Sequence, residues 1–161
     1  MGKIIIFASK IGYMRIEDEI KSSFKDDYHK AVVNLIYTHH TLMERMNESF
    51  KAKNLTHQQF NVLRILKGQF PKPVSIGLIK ERMLDKMSDT SRIIERLLKK
   101  ELVIKKTSKQ DRRSTDILIS EKGINILKEI NPVINEFNKN LAKKLNISEV
   151  QVFNELLDKI R

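Results

Sequence analysis

The sequence predicts a mainly α-helical chain that contains one small β-hairpin. Two observations favour this fold class: apolar residues recur at helical spacing towards both ends of the chain, and two short β-branched runs stand between the helical patterns. The length of 161 residues is that of one ordinary domain with a sizeable core. We therefore expect a single helical unit with a local β element.

The N-terminal helical pattern begins after Met14. Between Ile16 and Lys53, apolar residues recur at helical spacing with charged residues between them, which predicts one or two long amphipathic helices over residues 16–54. The recurring apolar residues are Ile20, Phe24, Tyr28, Val32, Leu35, Leu42, Met46 and Phe50. Since the pattern does not reach residues 1–15, we expect them to form an N-terminal extension outside the core fold.

Shorter elements follow in residues 55–120. Thr56 and Gln59 have the spacing of a capping box, which predicts a helix that ends near Gly68. A Pro-Lys-Pro segment then interrupts the helical pattern. A short helix over residues 78–83 is expected after it.

A second helix over residues 88–100 is predicted directly after that short helix. Ser88 is a suitable N-cap, and Ile94 and Leu97 lie on its apolar face. Two short runs, 102–106 and 115–119, then predict the strands of the hairpin. The tip of this hairpin, residues 107–114, is polar and highly charged, and we call it the wing.

Residues 121–161 predict two more amphipathic helices. Ser120 stands where the first of them begins, and Pro132 is expected to disturb it. Ser148 and Gln151 have the spacing of a capping box, which predicts Ser148 as the N-cap of a last helix that ends at Ile160.

The charge of the chain favours an anionic partner. Lys and Arg number 31 against 20 Asp and Glu, a net charge of +11, and residues 80–113 alone hold 12 basic and six acidic residues. With no Trp, three Tyr and seven Phe, few rings remain to stack on unpaired bases, so duplex DNA is favoured over single strands. No apolar run approaches the length of a membrane span, so no membrane partner is expected.

The composition argues against an enzyme. The absence of Cys excludes disulfides, thiolate nucleophiles and Cys-ligated zinc, and it fits the cytoplasm, where we expect the protein. No zinc-binding HExxH motif, phosphate-binding loop or nucleophile elbow is present, so no catalytic residue, metal site or cofactor is predicted. A metal-dependent helical enzyme would depend on His40 and Glu44, and two ligands are not a site. Met46, Met83 and Met87 are expected to pack in the core.

The start of helix 88–100 and the wing carry the residue types that a duplex-DNA reader needs. A helix enters the major groove with its first turns near base edges, which calls for small polar donors and long cations there. Basic residues in the wing would contact phosphates or enter a narrow minor groove. The predicted DNA-binding residues are Ser88, Asp89, Thr90, Ser91, Arg92 and Arg96 on the helix, and Lys109, Arg112 and Arg113 in the wing.

Over residues 20–160 the sequence resembles the multiple antibiotic resistance regulator (MarR) family. The motifs that carry the resemblance are LTHQQF at 55–60, SDTSRIIERL at 88–97 and, most specifically, DRRSTDILISEKG at 111–123. The resemblance implies a winged helix-turn-helix with N- and C-terminal dimerisation helices. It also implies a homodimer that regulates transcription from a near-palindromic operator, most often as a repressor, and derepression by a small aromatic effector.

By position, the resemblance also implies residue roles. Helix 88–100 would be the recognition helix in the major groove, Arg113 the minor-groove arginine of the wing, and Asp111 the residue that orients it. One departure from the family is Glu101, which stands between helix 88–100 and the first strand, where the family usually has Gly. Glycine suits a left-handed turn at this position, whereas a residue with a Cβ is strained there. A second interpretation of the same residues is a winged-helix module that binds a protein or a structured RNA.

Overall fold

The computed structural model describes residues 14–107 and 115–161. The chain divides into two compact units, the first ending at Glu44 and the second beginning at Arg45. The described residues are mainly helical and contain one small antiparallel sheet, as the sequence predicts.

The first unit contains α1 (Ile16–Ile20) and the first part of α2 (Asp27–Lys51). The two helices are joined by polar contacts: Lys30 forms an ion pair with Glu17, and the hydroxyl of Tyr37 donates to a carboxylate oxygen of Glu19 at 3.0 Å. Of the one or two long helices predicted here, one is present as α2, whereas α1 has only five residues. The large apolar side chains that α2 leaves exposed in this unit are Tyr28, Val32, Leu35, Ile36 and Leu42.

In the second unit, α3 (His57–Gln69) begins at the predicted capping box. The Gln59 N–H donates to the Thr56 hydroxyl at 3.2 Å, and the Thr56 N–H donates to the Gln59 side chain at 3.2 Å. These bonds satisfy two of the N–H groups that a helix start leaves without partners. The buried face of α3, which includes Leu63 and Leu66, forms the centre of the core.

A small three-stranded sheet packs against α3. Its strands are β1 (Val74–Ser75), β2 (Val103–Thr107) and β3 (Thr115–Ile119), with β3 in the middle and both pairings antiparallel. Ile117 of β3 is opposite a residue of each neighbour and is fully buried. The predicted hairpin is confirmed, and the sequence missed β1 because two residues are too few to show an alternating pattern.

Two helices, α4 (Ile76–Arg82) and α5 (Thr90–Lys99), stand between β1 and β2. The first begins two residues before its predicted start because the hydroxyl of Ser75 accepts the Leu78 N–H at 3.2 Å. A turn over residues 83–89 then leads directly into α5. The pair is the predicted helix-turn-helix.

The long helix α6 (Glu121–Ala142) starts as predicted, since the Ser120 hydroxyl accepts the Gly123 N–H at 3.0 Å. It continues through Pro132, so the expected disturbance does not end the helix. Its start lies very close to the turn that follows α5. A Cβ on Gly123 would be 2.3 Å from the Leu102 carbonyl oxygen, and the Ser120 N–H donates to that same oxygen at 3.0 Å.

The last helix, α7 (Ile147–Lys159), is capped by Asn146 and not by Ser148. Asn146 forms a capping box with Glu149, in which the two bonds measure 3.0 and 2.8 Å. The prediction of Ser148 as the cap is therefore wrong by two residues. No residue of α7 is buried in the single chain.

The three methionines expected in the core have different environments. Met83 is 2% exposed and Met46 packs against the core, as predicted. Met87 is 94% exposed, so the interpretation of this residue as core filler is wrong. It lies in the turn between α4 and α5.

Candidate nucleic-acid interface

The N-terminal end of α5 is capped by Asp89. Its carboxylate accepts the Arg92 N–H at 3.1 Å, so Ser88, which the sequence predicted as the cap, stands one residue before it. The negative charge of this cap also interacts favourably with the positive end of the helix dipole. The Ser88 side chain is partly exposed and lies at the very entrance of the helix.

Asp85 holds Ser88 in place. One carboxylate oxygen accepts the Ser88 hydroxyl at 2.7 Å, and the other accepts the Met87 N–H at 3.0 Å. The Ser88 hydroxyl, and after it the Met87 amide, hold the pKa of Asp85 below its usual range, so the carboxylate is ionised at neutral pH. Sequence analysis missed this residue, although an Asp three positions before a Ser in a turn is a recognisable signal for such a bond.

Three of the predicted residues share the outer side of α5. Ser91, Arg92 and Arg96 are exposed, and Arg92 and Arg96 are one turn apart. Among residues 14–107 and 115–161, neither arginine forms an ion pair. Both side chains are exposed on the surface, where an anionic partner can reach them.

Thr90 does not belong to this exposed surface. Its side chain is 3% exposed and lies on the same helix side as Ile94 and Leu97, both of which are buried. Residues at i, i+4 and i+7 face the same way along a helix, so Thr90 faces the core. Thr90 is therefore not part of the candidate interface.

The C-terminal end of α5 is tied to the start of α3. The Lys100 ammonium donates to the Asn54 carbonyl and to the Gln59 side chain, the latter at 3.1 Å. Burial lowers the pKa of Lys100, and the nearby charge of Arg96 adds to the effect. Of the two adjacent lysines, Lys99 is exposed, whereas Lys100 is partly buried and joins two elements.

The turn after α5 adopts the left-handed conformation at Glu101, with φ of 60°. Its N–H donates to the Leu98 carbonyl at 2.9 Å, which closes the helix end. Two groups at the start of α6 hold the same residue: the Ser120 hydroxyl donates to the Glu101 carbonyl at 2.7 Å, and Lys122 pairs with its carboxylate at 2.8 Å. Glu101 thus adopts the left-handed conformation that glycine commonly adopts at a helix end.

The hairpin leads from this turn towards the wing. Lys105 and Lys106 on β2 are exposed, and Lys106 is opposite Asp116 of β3. The last described pair of the hairpin is Thr107 with Thr115. The predicted wing residues Lys109, Asp111, Arg112 and Arg113 lie outside the residues that the structure describes.

Replacing Asp85 with alanine is expected to weaken binding of duplex DNA. Removing a negative charge beside DNA should by itself strengthen binding, so a weakened complex is the specific sign of a positioning role. Asp158→Ala, which removes an exposed carboxylate near the C-terminus, is the matched control and should leave binding unchanged. Fluorescence anisotropy with a labelled duplex measures both variants, and equal or tighter binding by Asp85→Ala would contradict the role.

The described residues give no support to a metal site or a membrane segment. In residues 14–107 and 115–161, no group of three or more His, Cys, Asp or Glu side chains is placed to hold a metal ion. None of the helices in that part of the chain is long and apolar enough to cross a membrane.

Comparison with known proteins identifies the domain. The model of the MarR family matches residues 55–115. The HTH-type transcriptional regulator MhqR of Bacillus subtilis (strain 168) is 28% identical over 131 residues, which are 81% of this chain and 89% of that protein.

Solved structures show the same fold. S. aureus MepR in complex with DNA matches with a TM-score of 0.71 at 18% identity, over 86% of this chain and 97% of that one. BpsR of Bordetella bronchiseptica, a protein whose DNA binding is regulated by 6-hydroxynicotinic acid, matches with a TM-score of 0.68 at 21% identity. The match covers 81% of this chain and 98% of that one. The family model thus matches a MarR domain in residues 55–115, and the solved structures show that the chain shares the winged helix fold of MarR-type regulators.

Proposed function

We propose that this protein is a homodimeric repressor that binds a near-palindromic operator in duplex DNA. Its recognition helix, residues 88–100, lies in the major groove, and its wing, residues 107–114, contacts the adjacent minor groove. A small aromatic effector relieves the repression.

The exposed outer side of α5 is the observation that carries this proposal. Ser91, Arg92 and Arg96 combine a hydroxyl with two exposed guanidinium groups near the start of a capped helix. Arginine donates two parallel hydrogen bonds to guanine, and the hydroxyl of serine bonds to several bases. Ser88 and Asp89 complete this surface at the helix entrance.

The charges that follow α5 extend the surface. Lys105 and Lys106 lead along β2 towards the wing, where Lys109 and Arg112 are assigned to phosphates and Arg113 to the minor groove, oriented by Asp111.

Exposed apolar side chains support the homodimer. In the single chain, one side of α7 presents Val152, Phe153, Leu156 and Ile160 to solvent, at positions that lie together on a helix. A helix without buried residues gains little from folding alone, so a partner must cover it. In the first unit, α2 likewise leaves a row of apolar residues exposed. A second copy of the chain is the partner that a two-fold operator requires.

The proposal of an aromatic effector is based on BpsR, the structural neighbour whose DNA binding is regulated by 6-hydroxynicotinic acid. A compound of this class would act on the present chain by binding better to a conformation that does not fit the operator. Its expected chemistry is that of a small aromatic acid or phenol.

Selection of binding sites from a random duplex library tests the proposal. The purified protein should enrich near-palindromic sites whose half-sites are about 34–36 Å apart, one turn of B-DNA, because a two-fold dimer presents two equal helices. Adding a panel of small aromatic acids and phenols to the complex should release the DNA with at least one member. Failure to enrich any duplex would overturn the proposal, and enrichment of single half-sites would overturn the dimer.

A further inference from the structure

The turn between α4 and α5 exposes two large apolar side chains. Met87 is 94% exposed and Leu84 is 74% exposed, whereas the neighbouring Met83 is buried. A single exposed apolar residue is common on protein surfaces and needs no explanation by itself. The position of Met87 is unusual, because it stands two residues before the Asp89 cap of the proposed recognition helix.

Hydrogen bonds fix the backbone that presents Met87. Its N–H donates to Asp85 at 3.0 Å, and the next residue, Ser88, donates through its hydroxyl to the same carboxylate. At the other end of the turn, the Leu84 N–H donates to the Asn61 side chain at 2.9 Å. The Met87 side chain therefore extends into solvent from a backbone position that is defined on both sides.

The chemistry around Met87 argues against a protein partner. Its neighbours are the exposed cation Lys86 and the polar residues Ser88 and Asp89. The centre of a protein interface is depleted of charged residues, so the two apolar side chains of this turn, set among charged residues, make a poor docking surface. An apolar group beside a cation and a hydroxyl suits a base-pair edge in the major groove.

We propose that Met87 reads a thymine by contact with its C5-methyl group. This inference rests on the proposed function, since it requires that the start of α5 enters the major groove. The thymine methyl is the apolar group on the major-groove edge of a base pair, and proteins recognise it by apolar contact. Methionine is flexible and polarizable, which lets it follow the position of a methyl group without a fixed geometry.

Removal of the methyl group from DNA tests the contact directly. Each thymine of the selected site is replaced in turn by deoxyuridine, which keeps every hydrogen bond and lacks only the methyl. At one position of each half-site we expect an affinity about fourfold lower for the unchanged protein, from the transfer of one methyl group into water. In the Met87→Ala variant, the thymine and deoxyuridine sites should bind equally at that position.

Two controls separate the possible outcomes. Met87→Ala should melt at the same temperature as the unchanged protein, since the side chain is exposed. Leu84→Ala, which removes the other exposed apolar side chain of the turn, should keep the fourfold preference. If the protein without a substitution binds its site equally well with and without each methyl group, the inference about Met87 is overturned and the proposed function stands. The same holds if the Met87→Ala variant retains the preference for thymine. An unchanged protein that selects no duplex overturns the proposed function as well.

Discussion

Gly123→Ala is expected to lower the free energy of unfolding by about 2–3 kcal/mol, the cost of overpacking together with a weakened buried hydrogen bond. The added Cβ would be 2.3 Å from the Leu102 carbonyl oxygen and 2.9 Å from Ile119. The oxygen belongs to the backbone and already accepts the Ser120 N–H, so it cannot move aside without breaking that bond. The start of α6 must shift instead.

Thermal and urea unfolding of the full chain measure this effect. Gly68→Ala is the matched control, because a Cβ there meets nothing within 4 Å and the residue lies inside α3. That variant should be more stable by about 0.5–1 kcal/mol, since alanine favours a helix over glycine. If both variants changed stability in the same direction, the close approach at Gly123 would not be the cause.

Arg92→Ala is the change expected to affect DNA binding most. An arginine that bonds a guanine in two places contributes about 1–3 kcal/mol of discrimination, so affinity for the selected site should fall about 5- to 150-fold and the preference at one base position should relax. Arg92 is exposed and forms no ion pair among residues 14–107 and 115–161, so the fold should not suffer. Repeating the site selection with the variant measures both effects.

Arg113→Ala is the comparison that distinguishes base reading from phosphate attraction. Loss of a wing arginine should weaken binding to all sequences alike and reduce the slope of log affinity against log salt by about one unit. A loss of preference with Arg113→Ala, together with a uniform loss with Arg92→Ala, would reverse the two roles. No change with either variant would refute the assignment of both.

Local signals in the sequence were sufficient where one residue type decides the structure. Thr56 with Gln59 predicted the start of α3, and Ser120 predicted the start of α6. The two strands of the hairpin were equally visible as β-branched runs. In each case the signal depends mainly on nearby residues, and the packing of the core agrees with it.

The sequence was insufficient where two good N-cap residues stand close together. Ser88 and Asp89 are both favoured N-caps, as are Ser148 and Asn146, and in each pair the structure uses the one that the sequence analysis did not select. The choice depends on which residue is extended when the apolar side of the helix meets the core. Propensity alone carries no information about that alignment.

Side-chain exposure was the least predictable property of the site. Thr90 was assigned to DNA because it is near the helix start, yet its spacing from Ile94 already placed it on the buried side. Met87 was assigned to the core by residue type, and the turn exposes it. Asp85 was missed although its spacing from Ser88 is a recognisable signal, because the prediction considered only the helix start and the wing.

The glutamate at the end of α5 has a consequence for the unfolded chain. A glycine at position 101 would adopt φ of 60° without strain, but it would also explore far more backbone conformations when unfolded. Glutamate has fewer conformations to lose on folding, and this difference offsets part of the local strain. The same segment is thus restricted before it folds, which lowers the entropic cost of ordering the turn between α5 and β2.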